Sequence, residues 1–345
     1  MQTMTLGRTG LVISRTGFGA LPIQRVSFEE AAALLNRALD GGIRYIDTAR
    51  AYTDSEEKIG RAISHRRGEF FIATKTHAKT AEGFWKDLKT SLRLLNTETI
   101  DVYQFHNPPF VPMPGGEDGL YDAAVEARRQ GRIRFIGITQ HSIERAEQAV
   151  ESGLYDTLQY PFNHLATDRE VALVRRCQEK NVGFVAMKAL SGGLVTDARI
   201  PYAYLSQFSG AVPIWGFQHM WELEQVLGFS REDAVMTDEI RALIEKDRSE
   251  LVGAFCRSCG YCLPCPAGIP IQNANRMKQL LGRAVWQNYV TPQWQKDMER
   301  IEDCIHCGAC AKRCPYELKP YETLPGQLAF YRQFVKEHCS DPSQQ

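Results

Sequence analysis

The sequence predicts an α/β protein: a (β/α)8 barrel of the TIM type, followed by a small, mainly helical domain. Short β-branched or aromatic runs alternate with stretches of helical period, which is how βα units on a parallel sheet read. Eight such runs fall within the roughly 200 residues that a barrel needs. Beyond them strands give way to helix formers rich in Met, Gln and Lys, interrupted by two cysteine tracts. The junction is expected near residue 230. That gives a barrel over 1–229, a helical domain over 230–339 and a disordered tail over 340–345.

The runs are, in order, "TGFGALPI", "IRYIDTA", "EFFIATKT", "IDVYQFH", "IRFIGIT", "TLQYPFN", "GFVAMKA" and "VPIWGF". The helical stretch "SFEEAAALLNRALDGG" starts at Ser27, carries Glu29 and Glu30 in its first turn and meets Gly41 at its end, which are start and stop signals. The opening "MTLGRTGLVIS" sets a turn-prone Gly-Arg-Thr-Gly between two apolar pieces. A hairpin closing the bottom of the barrel is expected there.

Lys plus Arg number 41, as do Asp plus Glu, so no net field draws in nucleic acid or an anionic membrane surface. No apolar stretch approaches the roughly 18 residues that span a bilayer, and the N-terminus lacks a basic segment leading into a long apolar one. Most of the 10 cysteines fall in two short tracts, which suits a metal cofactor better than a framework of disulfides. Thiolates that load a metal must be reduced. A cytoplasmic protein follows, with neither nucleic acid nor membrane as partner.

Four polar residues stand at or just past the ends of consecutive predicted strands: Asp47 and Tyr52 after the second, Lys75 in the third and His106 ending the fourth. In a parallel barrel those ends converge on one face, where active sites are assembled from several strands. Their chemistry is complementary. A tyrosine, with an ordinary pKa of about 10, needs a nearby cation to give up a proton near neutrality. Lys75 can be that cation, Asp47 can hold Lys75 by an ion pair, and a neutral His106 can orient a carbonyl by a hydrogen bond. Any one of these alone reads more readily as a paired polar residue or a helix cap than as a catalyst; the four together point to catalysis.

"RYIDTARAY", "FFIATKTH" and "DVYQFH", with "LGRTGLVIS" and "DSEEKIGRAI", resemble the signatures of the aldo-keto reductase family over residues 1 to 228. The resemblance implies that Tyr52 is the general acid, that Lys75 tunes it, that Asp47 pairs with Lys75 and that His106 positions substrate. It implies reversible hydride transfer between a nicotinamide cofactor, NAD or NADP, and a carbonyl or alcohol. It also implies that Thr139, Gln140 and Gln159 touch the nicotinamide carboxamide. Where many relatives stack an aromatic residue on the nicotinamide, this chain offers Met187 followed by Lys188. After the last strand Gln218 and His219 stand where NADP-preferring relatives carry a basic residue for the 2′-phosphate, which argues against tight NADP binding. Gly192, with Gly193, would let backbone approach a phosphate, or serve a plain turn, and Gly216 ends the last strand on the cofactor side.

"CRSCGYCLPCP" and "CIHCGACAKRCP" near-repeat one another. The spacing C-x2-C-x2-C sets three thiolates around one loop to cap three corners of an iron-sulfur cube, and the fourth ligand comes from elsewhere. Tracts that end in Cys-Pro commonly exchange fourth ligands. Cys256, Cys259 and Cys262 with Cys314 then hold one 4Fe-4S cluster, and Cys304, Cys307 and Cys310 with Cys265 the other. Zinc is the alternative, although its motifs use separated C-x2-C pairs. Cys177 reads as a packing residue and Cys339 as an uninvolved thiol. The stretch between the tracts reads as helix, its Met and Trp residues as core, so the domain resembles a helical ferredoxin-like module.

The expectation is an iron-sulfur oxidoreductase of the aldo-keto reductase type, its clusters an electron port or a sensor. A nicotinamide moves a hydride and a cluster one electron, and nothing in the sequence demands a flavin to join them. A barrel fed single electrons without nicotinamide is one alternative, and a non-catalytic electron-transfer or regulatory protein is another. The expected partners are a small-molecule carbonyl or alcohol and a one-electron donor or acceptor protein.

Overall fold

The computed structural model describes residues 1–230, 235–251, 255–283 and 285–339. The tail at 340–345 lies outside them. The described residues form two compact units, one of 1–189 and 199–244, the other of 190–198 and the stretch from 245 onward. The junction expected near residue 230 falls inside the stretch that clusters with the first unit.

In the first unit β1 (Thr3–Thr5) and β2 (Val12–Ser14) form an antiparallel hairpin that pairs Thr3 with Ser14 and Thr5 with Val12. Eight parallel strands follow: β3 (Gly17–Gly19), β4 (Tyr45–Asp47), β5 (Phe71–Thr76), β6 (Ile100–His106), β7 (Ile133–Thr139), β8 (Thr157–Pro161), β9 (Gly183–Met187) and β10 (Ala211–Gly216). They pair in chain order, and β10 returns to β3, so the barrel is closed. A helix follows each strand. The first, Phe28–Asp40, begins at a capping box in which Ser27 and Glu30 satisfy each other's backbone N–H, the start signal legible in the sequence. Gly41 at its end stays right-handed, and the left-handed residue is Gly42.

Side chains alternate across a strand, so residues two apart share a face. Tyr45, Ala73, Val102, Val185 and Val212 form one apolar cluster with Leu6, Leu11 and Ile13 of the hairpin region. The hairpin thus plugs the base, where Leu6 and Ile13 are fully buried. Two residues further along the strands, Tyr45 gives way to Asp47, Ala73 to Lys75, Val102 to Gln104 and Val185 to Met187. One layer is apolar and the next largely polar.

Among its described residues the second unit has no strand. Its helices include Met277–Arg283, Pro292–Glu299 and Pro320–His338. Met277, Leu280, Leu281, Met298, Leu324, Leu328 and Tyr331 form its buried interior. Both methionines are core, as expected, but Trp286 and Trp294 stay half-exposed. Trp286 packs edge-on against Phe334 and His338 instead. No described helix is long and apolar enough to cross a membrane.

Truncating the base plug tests its weight. Leu6→Ala, at a fully buried position, should destabilise the barrel by about 2–5 kcal/mol, read as a lowered urea midpoint by circular dichroism; an unmoved midpoint would mean that the hairpin merely covers the base.

Candidate active site and cluster ligands

The polar layer of the barrel is built around one ion pair. Lys75 Nζ lies 2.6 Å from Asp47 Oδ1, and the two residues are 1% and 2% exposed. Lys75 also donates to the Thr48 carbonyl oxygen at 2.6 Å. Asp47 accepts further hydrogen bonds from Gln104 Nε2 at 3.1 Å and Gln159 Nε2 at 3.3 Å. Burial pushes the Asp47 carboxyl up and the Lys75 ammonium down, and each partner's charge works against that shift.

Tyr52 sits in the loop after β4. Backbone bonds from Thr48 to Ala73 and from Arg50 to Lys75 keep that loop on β5, so Tyr52 stays over the pair. Its ring centroid is 5.2 Å from Lys75 Nζ and 6.0 Å from the His106 ring, which meets it edge-on. The phenol is pushed well above its ordinary value, by burial first and the Asp47 charge second. This is opposite to the lowering expected of a lysine neighbour. The physical reason is that burial disfavours the phenolate and the nearby Asp47 carboxylate repels it. His106 is driven the other way, by burial and then by His77, Lys75 and His141, and stays neutral. Its Nδ1 is buried without a partner.

The other expected cofactor contacts divide. Thr139 is buried, and its hydroxyl oxygen accepts the Asn107 N–H at 3.0 Å. Gln140 is engaged at both ends, donating to the Pro108 carbonyl and accepting from Arg145 Nε. Gln159 keeps a buried Oε1 without a partner, an acceptor suited to a carboxamide N–H. Met187 is half-buried against the barrel core, and Lys188 beyond it takes a left-handed backbone, φ +62°. Gly216 is exposed at the end of β10. Gly192 belongs to the second unit, where its carbonyl accepts from Arg276.

Two residues join the site that sequence reading had not singled out. Gln104 braces Asp47, and the His77 ring lies 4.0 Å from that of His106. The signal was their spacing, Gln104 two before His106 and His77 two after Lys75, which puts each pair on one face of a strand or its extension.

The cysteine tracts repeat in backbone as well as in sequence. Ser258 and His306, each just before the second cysteine of its tract, both have φ +52°, and Gly260 and Gly308, just after it, have φ +81° and +69°. Left-handed residues in such turns direct successive N–H groups inward and form the concavities that anionic iron-sulfur centres occupy. Cys265, Cys304, Cys307 and Cys310, together with Cys262, line one concavity with Ile269 and Leu324. The other group is Cys256, Cys259, Cys262 and Cys314. Burial, then the charges of Cys256, Cys259 and Cys314, push the Cys262 thiol up to about 12. Cys256 and Cys314 are raised likewise, by burial and then by their neighbours. Four thiolates that repel one another need cations between them. Cys177 is buried in the helix Asp168–Glu179 and belongs to neither group.

The first unit is thus an eight-stranded barrel with this layer at the ends of its strands, and the second carries two such cysteine sets. Residues 15–241 match the aldo/keto reductase family, and the chain belongs to it; residues 255–319 match the 4Fe-4S dicluster domain. The aldo-keto reductase YhdN of Bacillus subtilis is 31% identical over 224 residues, which cover 57% of this chain and 64% of that protein, a little under two thirds of its length. The L-galactose dehydrogenase of Arabidopsis thaliana is 27% identical over 221 residues, 58% of this chain and 69% of that one. An aldo-keto reductase from Bacillus halodurans, solved in its holo form, superimposes with a TM-score of 0.63 at 21% identity, covering 71% of this chain and 96% of the other.

The ion pair offers a stability test. Lys75→Met strands a buried carboxylate and should cost about 3–5 kcal/mol by urea denaturation, while adding Asp47→Asn should recover much of the loss; a single variant as stable as the parent would mean that the pair is not buried in solution.

Proposed function

We propose that the barrel catalyses reversible hydride transfer between a nicotinamide dinucleotide and a small carbonyl or alcohol, with Tyr52 as general acid, while the C-terminal module holds two 4Fe-4S clusters that serve as an electron port. The observation that carries the reading is the buried Asp47–Lys75 pair beneath a half-buried Tyr52 and a neutral His106. The dinucleotide would supply the hydride. This chain's residues supply the rest. A phenol held above its ordinary pKa is fully protonated at neutral pH, as a proton donor must be, and the ammonium beneath it favours the phenolate left after donation. A neutral His106 offers a hydrogen bond to the substrate oxygen without competing for the proton. Thr139, Gln140 and Gln159 sit together at the ends of β7 and β8, and the free Gln159 Oε1 suits the nicotinamide carboxamide best.

NAD is the better fit of the two dinucleotides. Glu222, at the start of the helix Met220–Phe229, accepts the N–H groups of Gln218 and His219 at 2.7 and 2.8 Å. A 2′-phosphate arriving there would meet that carboxylate instead of a Lys or Arg.

For the clusters, the two cysteine groupings support the crossed ligand sets: Cys256, Cys259, Cys262 and Cys314 for one, Cys265, Cys304, Cys307 and Cys310 for the other. Electron paramagnetic resonance should show Cys314→Ser altering the signal of the first cluster and Cys265→Ser that of the second. The reverse assignment would sink the exchange.

Tyr52→Phe should abolish carbonyl reduction while iron content stays at the parent level. In the parent, reduction should hold through neutral pH and decline only as alkaline pH removes the phenol proton. Turnover undiminished in Tyr52→Phe would end the general-acid reading. An anaerobic NADH titration, watching the clusters' visible absorbance, tests the port. Bleaching joins the two halves in one electron path; binding without bleaching makes the clusters a separate sensor.

A further inference from the structure

The second unit contains a buried cation that the reading above does not use. Arg276 is 2% exposed. Its Nη2 donates to the Gly192 carbonyl at 2.6 Å and its Nη1 to the Ser191 carbonyl at 3.4 Å. Its Nε is buried with no partner at all. No carboxylate is paired with this guanidinium among the described ion pairs, so burial works against its charge and the Cys256 sulfur is the principal group that favours it. Cys256 Sγ lies 3.6 Å from the Gln272 carbonyl oxygen, four residues before Arg276.

The surroundings keep the side chain in place. A Cβ on Gly192 would come within 3.1 Å of Arg276 Nη1, 3.4 Å of Ser258 Cβ and 3.5 Å of the Arg257 carbonyl oxygen. Gly192 is therefore wedged between the guanidinium and the turn joining Cys256 to Cys259. Pinned at both terminal nitrogens, the fork cannot swing to solvent, and an isolated buried cation whose Nε–H is unpartnered calls for an anionic partner.

We propose that Arg276 sets the reduction potential of the cluster held by Cys256, Cys259, Cys262 and Cys314, its charge and its free Nε–H favouring the reduced state, with Ser191 and Gly192 orienting it. This rests on the ligand set proposed above. A cluster that gains one electron gains one negative charge. A fixed cation and N–H donors near its sulfurs stabilise that form and raise the potential, and burial leaves the attraction little screened by salt. Arg276 is a positioning and tuning residue. It is not a ligand.

The test is an anaerobic potentiometric titration of the full chain with dithionite, followed by electron paramagnetic resonance, comparing the parent with Arg276→Gln and Arg276→Lys. Arg276→Gln should lower the reduction equilibrium constant of the first cluster about tenfold, equivalent to 59 mV for one electron. The second cluster, measured in the same sample, should not move. Arg276→Lys keeps the charge but loses the fork and should shift less, in the same direction. Unmoved midpoints with full iron and sulfide would overturn the role of Arg276 alone; a parent chain lacking the first cluster would overturn the ligand set and this proposal with it. If Arg276→Gln takes up no cluster, Arg276→Lys decides by the same criterion.

Discussion

The barrel's polar layer depends on an ion pair kept almost wholly from water. Charges as buried as Asp47 and Lys75 persist only when each is paired and its remaining hydrogen-bonding capacity is met, because desolvation alone would neutralise them. The Thr48 carbonyl, Gln104 and Gln159 meet that need, and in doing so fix the neighbouring strands at one height. Tyr52 and His106 then stand above a rigid charged floor. The same floor explains the direction of both of their shifts, since Asp47 adds to the burial that raises the phenol while Lys75 adds to the burial that lowers the imidazole.

The C-terminal module solves a different problem with one device used twice. A loop that presents three sulfurs to a cube must also turn its amides inward, and each tract does so with two left-handed residues around its second cysteine. At Gly260 and Gly308 that backbone carries no steric penalty. At Ser258 and His306 it does. Such conformations persist where their surroundings over-determine them, and an anionic centre in the concavity is a sufficient cause.

Much of this was legible in the sequence because it is local. The alternation of runs marked every barrel strand, and the spacing of Asp47, Tyr52, Lys75 and His106 along strand ends marked the floor of the site. The cysteine spacing marked both tracts. What escaped was long-range or collective. His77 and Gln104 matter through the residues they touch across the barrel, and nothing in either residue alone announces that. The upward shift of Tyr52 comes from its burial and from the Asp47 charge, and neither can be read from the residue alone. Gly192 reads in sequence as a phosphate-approach glycine or a plain turn, yet Arg276, 84 positions away, holds its carbonyl. No local pattern encodes that contact.

The hairpin at the base has a bearing on proton supply. With Leu6, Leu11 and Ile13 packed beneath Tyr45, Ala73 and Val102, the lower barrel is largely hydrocarbon, and the buried Tyr45 hydroxyl has no hydrogen-bond partner through which to pass a proton on. The interior is a cup closed at one end. A proton donated by Tyr52, as proposed above, would be replaced from the open end, where the His106 ring stands 6.0 Å from the Tyr52 ring and the exposed His77 4.0 Å beyond it.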